Sequence, residues 1–448
     1  MADRYDAIVI GAGPVGEVCA GELADGGMRV AIVERELVGG ECSYWACIPS
    51  KTLLRPGEAI EAAREVPGAA EAVTGAIDVG SALEYRNFMT SDWDDEDAVG
   101  WLEEKGVDLL RGEGRIEGPG QVAVGGETYA TERIVVATGS SPVIPPIDGL
   151  RELDGVWTNR EATEFRELPG SLVVLGGGPV GVELAQAFRR FGSEVALVEG
   201  DSRLLPREPA PVGEAVASAL AEDGIVLRLG EHAASAEKDS RGRFVLHFEG
   251  GEDVAGERLL VATGRRARVD EIGLDSVGIT PGKQGIEVDE QLRAGDGVWA
   301  IGDATGIMPF THVGKYQARI AARAMLGDAD ARADYRAVPR VVFCDPQVAA
   351  VGEASGVATG TAQLAGVART STYTREYADK PGFLTLVSDG SKLVGAYAVG
   401  PEAGEWLQQA TLAVRAEVPI PVLRDTIQPF PTFSEAFVDA LSDLVAPS

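Results

Sequence analysis

Short apolar runs that end at glycine-rich loops occur twice along the chain in the same order. In the first copy, residues 5–10 and 29–33 are apolar enough for buried strands, and a helix-like stretch lies between them. In the second copy, residues 171–175 and 194–198 repeat the two strands. Short apolar runs of this kind, bounded by turn signals, are typical of buried strands in α/β proteins. The pattern therefore predicts two α/β units with the same order of elements.

A glycine loop joins the first strand to the helix in each copy. The loops contain Gly11, Gly13, Pro14 and Gly16 in the first copy, and Gly176, Gly178 and Gly181 in the second. In such a loop the first glycine permits a tight turn, the second lets a pyrophosphate approach the backbone, and the third lets helix and strand pack closely. Phosphate is then held by the free N–H groups and the positive end of the helix dipole.

An acidic residue ends the second strand of each copy, at the same distance along the chain from the first glycine. These residues are Glu34 and Glu199. A carboxylate at this position accepts hydrogen bonds from a ribose diol. One glycine motif is often an ordinary turn, but two copies with strand, helix and acid at equal spacing favour two dinucleotide sites.

Further strand-to-turn segments follow each unit. Thr138 and Gly139 end one apolar run, Gly264 ends a matching run, and Gly302 and Asp303 end a third. An aspartate after a buried strand can bind the ribityl hydroxyls of a flavin, although by itself it is an ordinary strand-end turn. Its meaning here depends on the two dinucleotide motifs.

Composition narrows the function classes. The chain has 448 residues, and 40 basic against 70 acidic side chains give a net charge of −30. Such a surface repels phosphate backbones and anionic lipid, so we expect neither nucleic-acid binding nor membrane insertion. No apolar run is long enough to span a bilayer, no signal peptide is visible, and four cysteines suit a reduced compartment. These features predict a cytoplasmic protein of two to four domains.

Two of the cysteines, Cys42 and Cys47, are separated by four residues. On a regular helix this spacing turns the two side chains well away from one face, so a disulfide between them requires a departure from ideal helix. A strained disulfide is more easily reduced, which suits a catalytic bond. The alternative is a pair of buried packing cysteines.

The sequence around the cysteines carries a family resemblance. It reads Gly39-Gly40-Glu41-Cys42-Ser43-Tyr44-Trp45-Ala46-Cys47-Ile48-Pro49-Ser50-Lys51. With the two glycine loops, it resembles the class I pyridine nucleotide-disulfide oxidoreductases, which include dihydrolipoyl dehydrogenase, glutathione reductase and mercuric reductase. The likeness covers essentially the whole chain.

The resemblance implies an α/β fold with two Rossmann-like dinucleotide-binding domains, the second inserted in the first, and a C-terminal α+β dimerisation domain. The FAD domain would take residues 1–150 and 270–335, and the NAD(P)H domain would take residues 151–269. Residues 336–448 would form the interface of a homodimer.

The resemblance also implies the cofactors and their residues. FAD would be bound by Gly11, Gly13, Pro14, Gly16, Glu34, Gly40, Lys51, Thr138, Gly139, Gly302 and Asp303. The nicotinamide dinucleotide would be bound by Gly176, Gly178, Gly181, Glu199 and Gly264. Because Glu199 would repel a 2′-phosphate, we expect NADH rather than NADPH. No metal site is expected.

The resemblance assigns catalytic roles as well. Cys47 would face the flavin and Cys42 would meet the substrate. Lys51 would lie near the flavin with Glu183 as its partner, and a cation there would stabilise negative charge on the flavin.

One departure from the family pattern concerns proton transfer. Disulfide-reducing members carry His-x-His-Pro-Thr-x-Ser-Glu, whereas this chain has Gln428 and Phe430 at the histidine positions and keeps Glu435. Phenylalanine cannot transfer a proton, and general acid–base help is worth about a hundred-fold or more. His312 is a second candidate proton donor, although capping or a flavin contact suits it better.

Aromatic residues form the second departure. Tyr44 and Trp45 stand between the cysteines, and Phe430 and Phe433 would approach from the partner subunit. An aromatic pocket without a base suits a quinone-like acceptor, and a thiolate pair without an acid suits a soft metal ion. Alternatively, these aromatics only pack. Mercuric reductases carry a C-terminal cysteine pair that is absent from residues 443–448 of this chain.

The sequence therefore predicts an FAD-dependent NADH oxidoreductase that passes electrons through Cys42 and Cys47 to a small-molecule acceptor other than an ordinary disulfide. One alternative is a dihydrolipoyl dehydrogenase or other disulfide reductase with a modified proton path. An alternative from another class is a non-catalytic flavin-binding sensor.

Overall fold

The protein is described by a computed structural model that covers residues 4–373 and 382–444. The C-terminal residues 445–448, part of the stretch without a cysteine pair, lie outside the described residues. The chain divides into two compact units. Unit 1 comprises residues 1–49, 84–143 and 264–334, and unit 2 comprises residues 50–83, 144–263 and 335–448.

The strands are numbered in chain order. The first eleven are β1 (Arg4–Ile10), β2 (Val30–Glu34), β3 (Asp108–Arg111), β4 (Gly114–Gly118), β5 (Gln121–Val124), β6 (Glu127–Val136), β7 (Ser140–Pro142), β8 (Ser171–Leu175), β9 (Glu194–Glu199), β10 (Val226–Leu229) and β11 (Ala233–Lys238). The others are β12 (Phe244–Phe248), β13 (Val254–Gly256), β14 (Arg258–Val261), β15 (Arg265–Ala267), β16 (Arg293–Gly295), β17 (Val298–Ala300), β18 (Pro339–Val342), β19 (Gln347–Gly352), β20 (Ala358–Gln363), β21 (Phe383–Ser388) and β22 (Leu393–Gly400).

The α-helices are numbered in the same way. They are α1 (Pro14–Asp25), α2 (Gly40–Tyr44), α3 (Cys47–Glu65), α4 (Val79–Met89), α5 (Glu96–Glu104), α6 (Asn159–Glu164), α7 (Pro179–Phe191), α8 (Ala210–Glu222), α9 (Thr311–Met325), α10 (Ala368–Tyr373), α11 (Ala403–Trp406), α12 (Gln408–Arg415), α13 (Ile420–Arg424) and α14 (Ala436–Asp443).

Unit 1 is built on a sheet with the strand order β16-β17-β6-β1-β2-β3, extended by β4 and β5. The pairs β1–β2, β1–β6, β2–β3 and β6–β17 are parallel. Ile10 at the end of β1 pairs with Val33 on one side and Val136 on the other. The carboxyl ends of these strands therefore meet at one edge, which is where α/β folds bind ligands. Apolar residues of β1 are buried on both faces, one of which is covered by α1 and α9.

The glycine loops are required by their geometry. Gly11 has φ +107°, and a Cβ there would collide with the carbonyl oxygen of Ala137. A Cβ on Gly16 would collide with the carbonyl oxygen of Gly11. The same restrictions recur at Gly176, with φ +115°, and at Gly181. Only glycine fits these positions without strain, which explains why both copies repeat the motif.

Unit 2 contains the second copy and the C-terminal sheet. The second copy forms a four-stranded sheet of order β10-β9-β8-β14, in which all pairs are parallel. A three-stranded antiparallel sheet β11-β12-β13 and a five-stranded antiparallel sheet β18-β19-β22-β21-β20 complete the unit. Both predicted glycine-loop units are thus present. Unit 2 groups residues 144–263 with residues 335–448, so the two units do not correspond one to one with the predicted domains. The predicted domain boundaries therefore stay predictions.

A buried ion network connects α7 of the second copy with the chain before β19. Arg190 donates to Asp223 at 3.1 Å and to Asp345 at 2.8 Å, and its side chain is only 11% exposed. Gln186, one turn earlier, donates to the Asp345 carbonyl at 2.8 Å. Because breaking a buried pair leaves an uncompensated charge, this network fixes α7 against the C-terminal segment.

Within the described parts of the chain, no helix is both long enough and apolar enough to cross a membrane.

Candidate active site

Cys42 and Cys47 lie on two different helices. Helix α2 ends at Tyr44, Trp45 leaves helical geometry with φ −136°, and α3 begins at Cys47. This break is the departure from regular helix that the cysteine spacing predicts. Both cysteines are half-buried thiols, and their side chains share a hydrogen bond. The break therefore brings the two thiols into hydrogen-bonding contact.

Thr311, the first residue of α9, contacts both thiols. Its Oγ1 lies 3.4 Å from Cys42 Sγ and 3.4 Å from Cys47 Sγ. Thr311 is not among the site residues predicted from the sequence, where its only signal is its place at the start of the helix after the Gly302–Asp303 turn. A single hydroxyl thus bridges the two sulfurs.

The Cys42 thiol has a pKa above its ordinary value. Its hydrogen bond with Cys47 is the main cause, followed by burial, whereas the Thr311 hydroxyl and the Lys315 charge act in the opposite direction. Two coupled thiols release their protons in two steps that belong to the pair. Burial and Cys47 therefore favour the protonated thiol of Cys42, whereas Thr311 and Lys315 favour its thiolate.

The first glycine loop has room for a dinucleotide. A Cβ on Gly13 or Gly139 would point into open space, so these backbones are exposed to an approaching ligand. Gly40 of α2 lies so close to this loop that its Cβ would be 2.9 Å from Gly13 Cα. Glu34 stands at the end of β2 and accepts from the backbone N–H of Ala12 at 2.9 Å. These features fit the pyrophosphate and ribose of FAD.

Asp303 belongs to a polar network that reaches the residue before Cys42. Ser140 donates its hydroxyl to Asp303 at 2.6 Å, and Arg265 donates to Ser140 at 2.8 Å. Arg265 also pairs with Glu41 at 3.3 Å, and Arg268 pairs with Glu41 at 3.0 Å. The serine, both arginines and Glu41 were not predicted as site residues, because nothing in their spacing indicates that they meet.

Two further predicted FAD residues lie at the same strand edge. Thr138 donates its hydroxyl to the Arg268 carbonyl at 2.5 Å, and the Gly302 N–H donates to Gln317 at 2.7 Å. Gly264, predicted for the nicotinamide site, begins the segment 264–334 of unit 1. Its role stays a prediction.

The second glycine loop reproduces the first in detail. A Cβ on Gly178 would again point into open space. Glu199 accepts from the Gly177 N–H at 2.5 Å and from the Asp201 N–H at 2.8 Å. Arg203 donates to carbonyl oxygens of its own loop, those of residues 206 and 208, at 2.7 and 3.2 Å. The loop fits a second dinucleotide, and its acid is held in place by backbone groups.

Lys51 and Glu183 form the ion pair that the family resemblance implies. Lys51 Nζ lies 2.6 Å from Glu183 Oε2, and the glutamate side chain is only 6% exposed. Glu183 Oε1 accepts from the Phe343 N–H at 2.9 Å, and the ammonium lies 4.9 Å from the Phe343 ring centroid. A buried carboxylate with two donors fixes the ammonium at one position. The role of the pair toward FAD stays a prediction.

The aromatic residues separate into buried and exposed ones. Tyr44, Trp45 and Phe433 are 5%, 9% and 4% exposed, so they pack in the interior as the sequence analysis left open. Tyr44 also donates its hydroxyl to the Val38 carbonyl at 3.0 Å. Phe430 differs from the others, since 75% of its surface is exposed. Of these four aromatic side chains, only Phe430 is exposed enough to contact another molecule with most of its surface.

Glu435 and His312 are the two other candidates for proton transfer. The buried Oε2 of Glu435 has no hydrogen-bond partner among residues 4–373 and 382–444. His312 follows Thr311 on α9, and its ring stacks on Phe310 at 5.3 Å between centroids. No cluster of three or more metal-ligating carboxylate, imidazole or thiol side chains is present in the part of the chain that the structure describes.

The chain matches family models over most of its length. Residues 5–318 match the pyridine nucleotide-disulphide oxidoreductase model, and residues 338–441 match the dimerisation domain of the same family. A mercuric reductase of Staphylococcus aureus is 32% identical over 446 residues, which are 96% of this chain and 81% of that protein. A dihydrolipoyl dehydrogenase of Thermus scotoductus is 34% identical over 457 residues, which are 98% of this chain and 97% of that protein.

Solved structures agree with the sequence matches. The Cu(II) complex of the HOCl-induced flavoprotein disulfide reductase RclA from Escherichia coli has a TM-score of 0.86 and 27% identity, and covers 98% of this chain and 99% of that chain. LpdA from Mycobacterium tuberculosis has a TM-score of 0.84 and 25% identity over the same shares. These findings confirm the predicted fold class and the resemblance, and members of the family use FAD and NAD(P)H. The chain is an enzyme and belongs to the flavin-dependent pyridine nucleotide-disulphide oxidoreductases.

Proposed function

We propose that this enzyme uses NADH to reduce a soft metal ion, such as cupric or mercuric ion, through FAD and the Cys42–Cys47 pair. The observation that carries the proposal is the convergence of two thiols on one hydroxyl, that of Thr311, with 3.4 Å from its oxygen to each sulfur. Thiolates are preferred ligands of soft metal ions. Two similar proteins add support. One is a mercuric reductase, and the other is a disulfide reductase whose structure was solved as a Cu(II) complex.

Reduction of mercuric or cupric ion requires electrons but no proton at the acceptor. Bound FAD would supply a two-electron path between NADH and the cysteine pair. The two sulfurs then give up two electrons and close to a disulfide, while one mercuric ion becomes neutral or two cupric ions become cuprous. Per cycle, NADH becomes NAD⁺ and one proton is released. The chain itself provides the two sulfurs, the bridging hydroxyl and the loops that hold the dinucleotides.

The missing histidine favours a metal ion over a disulfide as the electron acceptor. A disulfide acceptor must gain protons as its sulfurs leave, and Phe430 offers none. A metal ion accepts only electrons, so the same substitution leaves its reduction intact.

A quinone is the second candidate, and the 75% exposure of Phe430 favours it. An exposed aromatic face can stack on a flat acceptor. However, the other three aromatics are buried, so the site offers less aromatic surface than the sequence suggests. A quinone also takes up protons when it is reduced to a hydroquinone, which this site supplies poorly.

An acceptor panel tests the proposal. We expect cupric or mercuric ion, presented as a weak thiol complex, to drive NADH oxidation at least about tenfold faster than lipoamide, glutathione disulfide or a soluble quinone. The Cys42→Ser variant, measured in parallel, separates turnover at the pair from direct reaction of metal with FAD. Faster turnover with lipoamide would identify a disulfide reductase, and faster turnover with the quinone would identify the second candidate.

We also propose that NADH is the preferred donor. Glu199 is fixed by two backbone donors at the end of β9, where its charge would repel a 2′-phosphate. Arg203, the nearest following arginine, donates to carbonyl oxygens of its own loop. The dimerisation-domain match supports a homodimer. In that homodimer we expect Phe430 to face the partner's cysteine pair, as the family resemblance implies.

The cofactor preference has its own test. We expect Glu199→Gln to narrow the ratio of kcat/KM for NADH over NADPH by about tenfold, or about 1.4 kcal/mol, because the charge that repels the 2′-phosphate is removed. Asp201→Asn, which removes a nearby charge but keeps Glu199, is the matched control. A wild-type preference for NADPH would reverse the assignment.

A further inference from the structure

The chain between β9 and α8, residues 200–209, folds back over the second glycine loop; it is called the 200–209 loop below. Leu205 donates its backbone N–H to the Gly177 carbonyl at 2.9 Å. A Cβ on Gly177 would lie 2.7 Å from the Leu204 side chain and 3.0 Å from the Glu199 carboxylate. The 200–209 loop therefore passes beside the acid that we expect at the ribose of the nicotinamide dinucleotide.

The backbone of Leu205 indicates that this loop is held firmly in place. Leu205 has φ +48° and is only 2% exposed. The left-handed conformation of a non-glycine residue costs free energy and persists only where surrounding contacts impose it. Leu204, beside it, is fully buried. Contacts on both sides of the loop must therefore fix its path.

One ion pair connects the end of the 200–209 loop with β18. Arg340 Nε lies 2.8 Å from Glu208 Oε1, and a second guanidinium nitrogen lies 2.9 Å from Oε2. The two side chains are 21% and 11% exposed. A bidentate pair of this kind fixes orientation as well as distance. The Glu208–Arg340 pair thus anchors the loop to a strand that lies 132 positions away in the sequence.

Arg203 is the arginine whose position depends on this anchor. Its guanidinium donates to the carbonyl oxygens of Pro206 at 2.7 Å and of Glu208 at 3.2 Å. Glu208 is also the residue that Arg340 fixes, so the anchor holds one of the two acceptors in place. Guanidinium N–H groups are well suited to bind phosphate. Because those of Arg203 are turned onto the loop, they are withheld from a phosphate beside Glu199.

We propose that Glu208 and Arg340 are a positioning pair that makes the enzyme select NADH. The pair fixes the 200–209 loop so that Arg203 stays on the loop carbonyls and does not bind a 2′-phosphate. Glu199 acts by its charge at the ribose, whereas the pair acts through Arg203 and need not touch the dinucleotide. The inference rests on the NADH preference in the proposed function and does not depend on the acceptor.

Binding of two adenosine nucleotides to the holoenzyme tests the proposal without any redox step. Titration calorimetry gives the Kd of adenosine 2′,5′-bisphosphate, which carries the 2′-phosphate, and of AMP, which lacks it. We expect Arg340→Met and Glu208→Gln each to lower the Kd of the bisphosphate by about fivefold, the upper size of an exposed charge contact. The Kd of AMP should stay nearly unchanged. Since the two variants change the net charge in opposite directions, a shared gain reports release of the loop and not long-range charge.

A double variant identifies the group that gains contact with the phosphate. Arg340→Met combined with Arg203→Met should lose the gain, because the released guanidinium is absent. Arg243→Met is the matched control, since the same substitution breaks the 2.9 Å Arg243–Asp239 pair between β11 and β12. It should bind both nucleotides as the wild type does. FAD content and the thermal midpoint establish folding. If Arg340→Met does not fold, Glu208→Gln combined with Arg340→Met replaces it, because no buried charge is then left unpaired.

Unchanged or weaker binding of the bisphosphate in either folded variant would overturn the proposal, and so would a gain that survives the loss of Arg203. Flavin bleaching measured by stopped flow should show the same shift, with NADPH gaining on NADH in both variants. A wild type that prefers NADH while the variants show no gain would overturn this inference alone. A wild type that prefers NADPH would overturn the proposed donor and this inference together.

Discussion

Replacement of Cys42 with serine is expected to abolish turnover with the acceptor while leaving the oxidation of the first NADH nearly unchanged. A serine hydroxyl neither forms a disulfide nor binds a soft metal ion as a thiolate does. The loss should reach at least about a thousand-fold in kcat, as expected when a reacting group is removed. Stopped-flow measurement of flavin bleaching by NADH and of reoxidation by the acceptor separates the two half-reactions.

The matched control is Ser43→Ala, on the same short helix as Cys42. This change removes a hydroxyl beside the reacting sulfur but leaves both thiols and Thr311 in place. Turnover should stay close to that of the wild type. If Cys42→Ser retained most of its metal-ion turnover, electrons would reach the acceptor without the cysteine pair, and the path proposed here would be wrong.

The sequence was sufficient to predict the parts of the fold that obey local rules. Gly11 and Gly16 are fixed by collisions that any other side chain would suffer, so the same spacing recurs at Gly176 and Gly181. The family match confirms that these motifs mark a flavin-dependent oxidoreductase. The break between α2 and α3 was also predictable, because two cysteines at this spacing cannot face each other on one regular helix.

Contacts between distant segments were not predictable in the same way. Thr311 meets Cys42 across 269 positions, and Arg268 meets Glu41 across 227, so no local periodicity links them. Whether Tyr44 and Trp45 line a pocket or only pack was left open by the sequence, and the structure buries both of them. Tertiary packing decided both outcomes.

Introducing the absent histidine should convert the enzyme toward disulfide reduction. Phe430 is exposed and stands at the histidine position of the family frame, so Phe430→His places an imidazole where a proton-transfer group is lacking. We expect lipoamide reduction to rise by about a hundred-fold, the usual contribution of a general acid–base group. Flavin bleaching by NADH should be unaffected, and quinone turnover should fall or stay level because aromatic surface is lost.

Glu435 determines whether the new imidazole works as a base. Its Oε2 is buried and has no hydrogen-bond partner within the described residues, so it is available to accept from a ring N–H and hold the ring in one tautomer. The double variant Phe430→His with Glu435→Gln should therefore lose most of the gain, while Phe430→Leu should show none of it. Stopped-flow rates for both half-reactions across the set distinguish proton transfer from altered packing. Lipoamide reduction that is already fast in the wild type would contradict the prediction, because the proton would then come from another group, with His312 the first to replace.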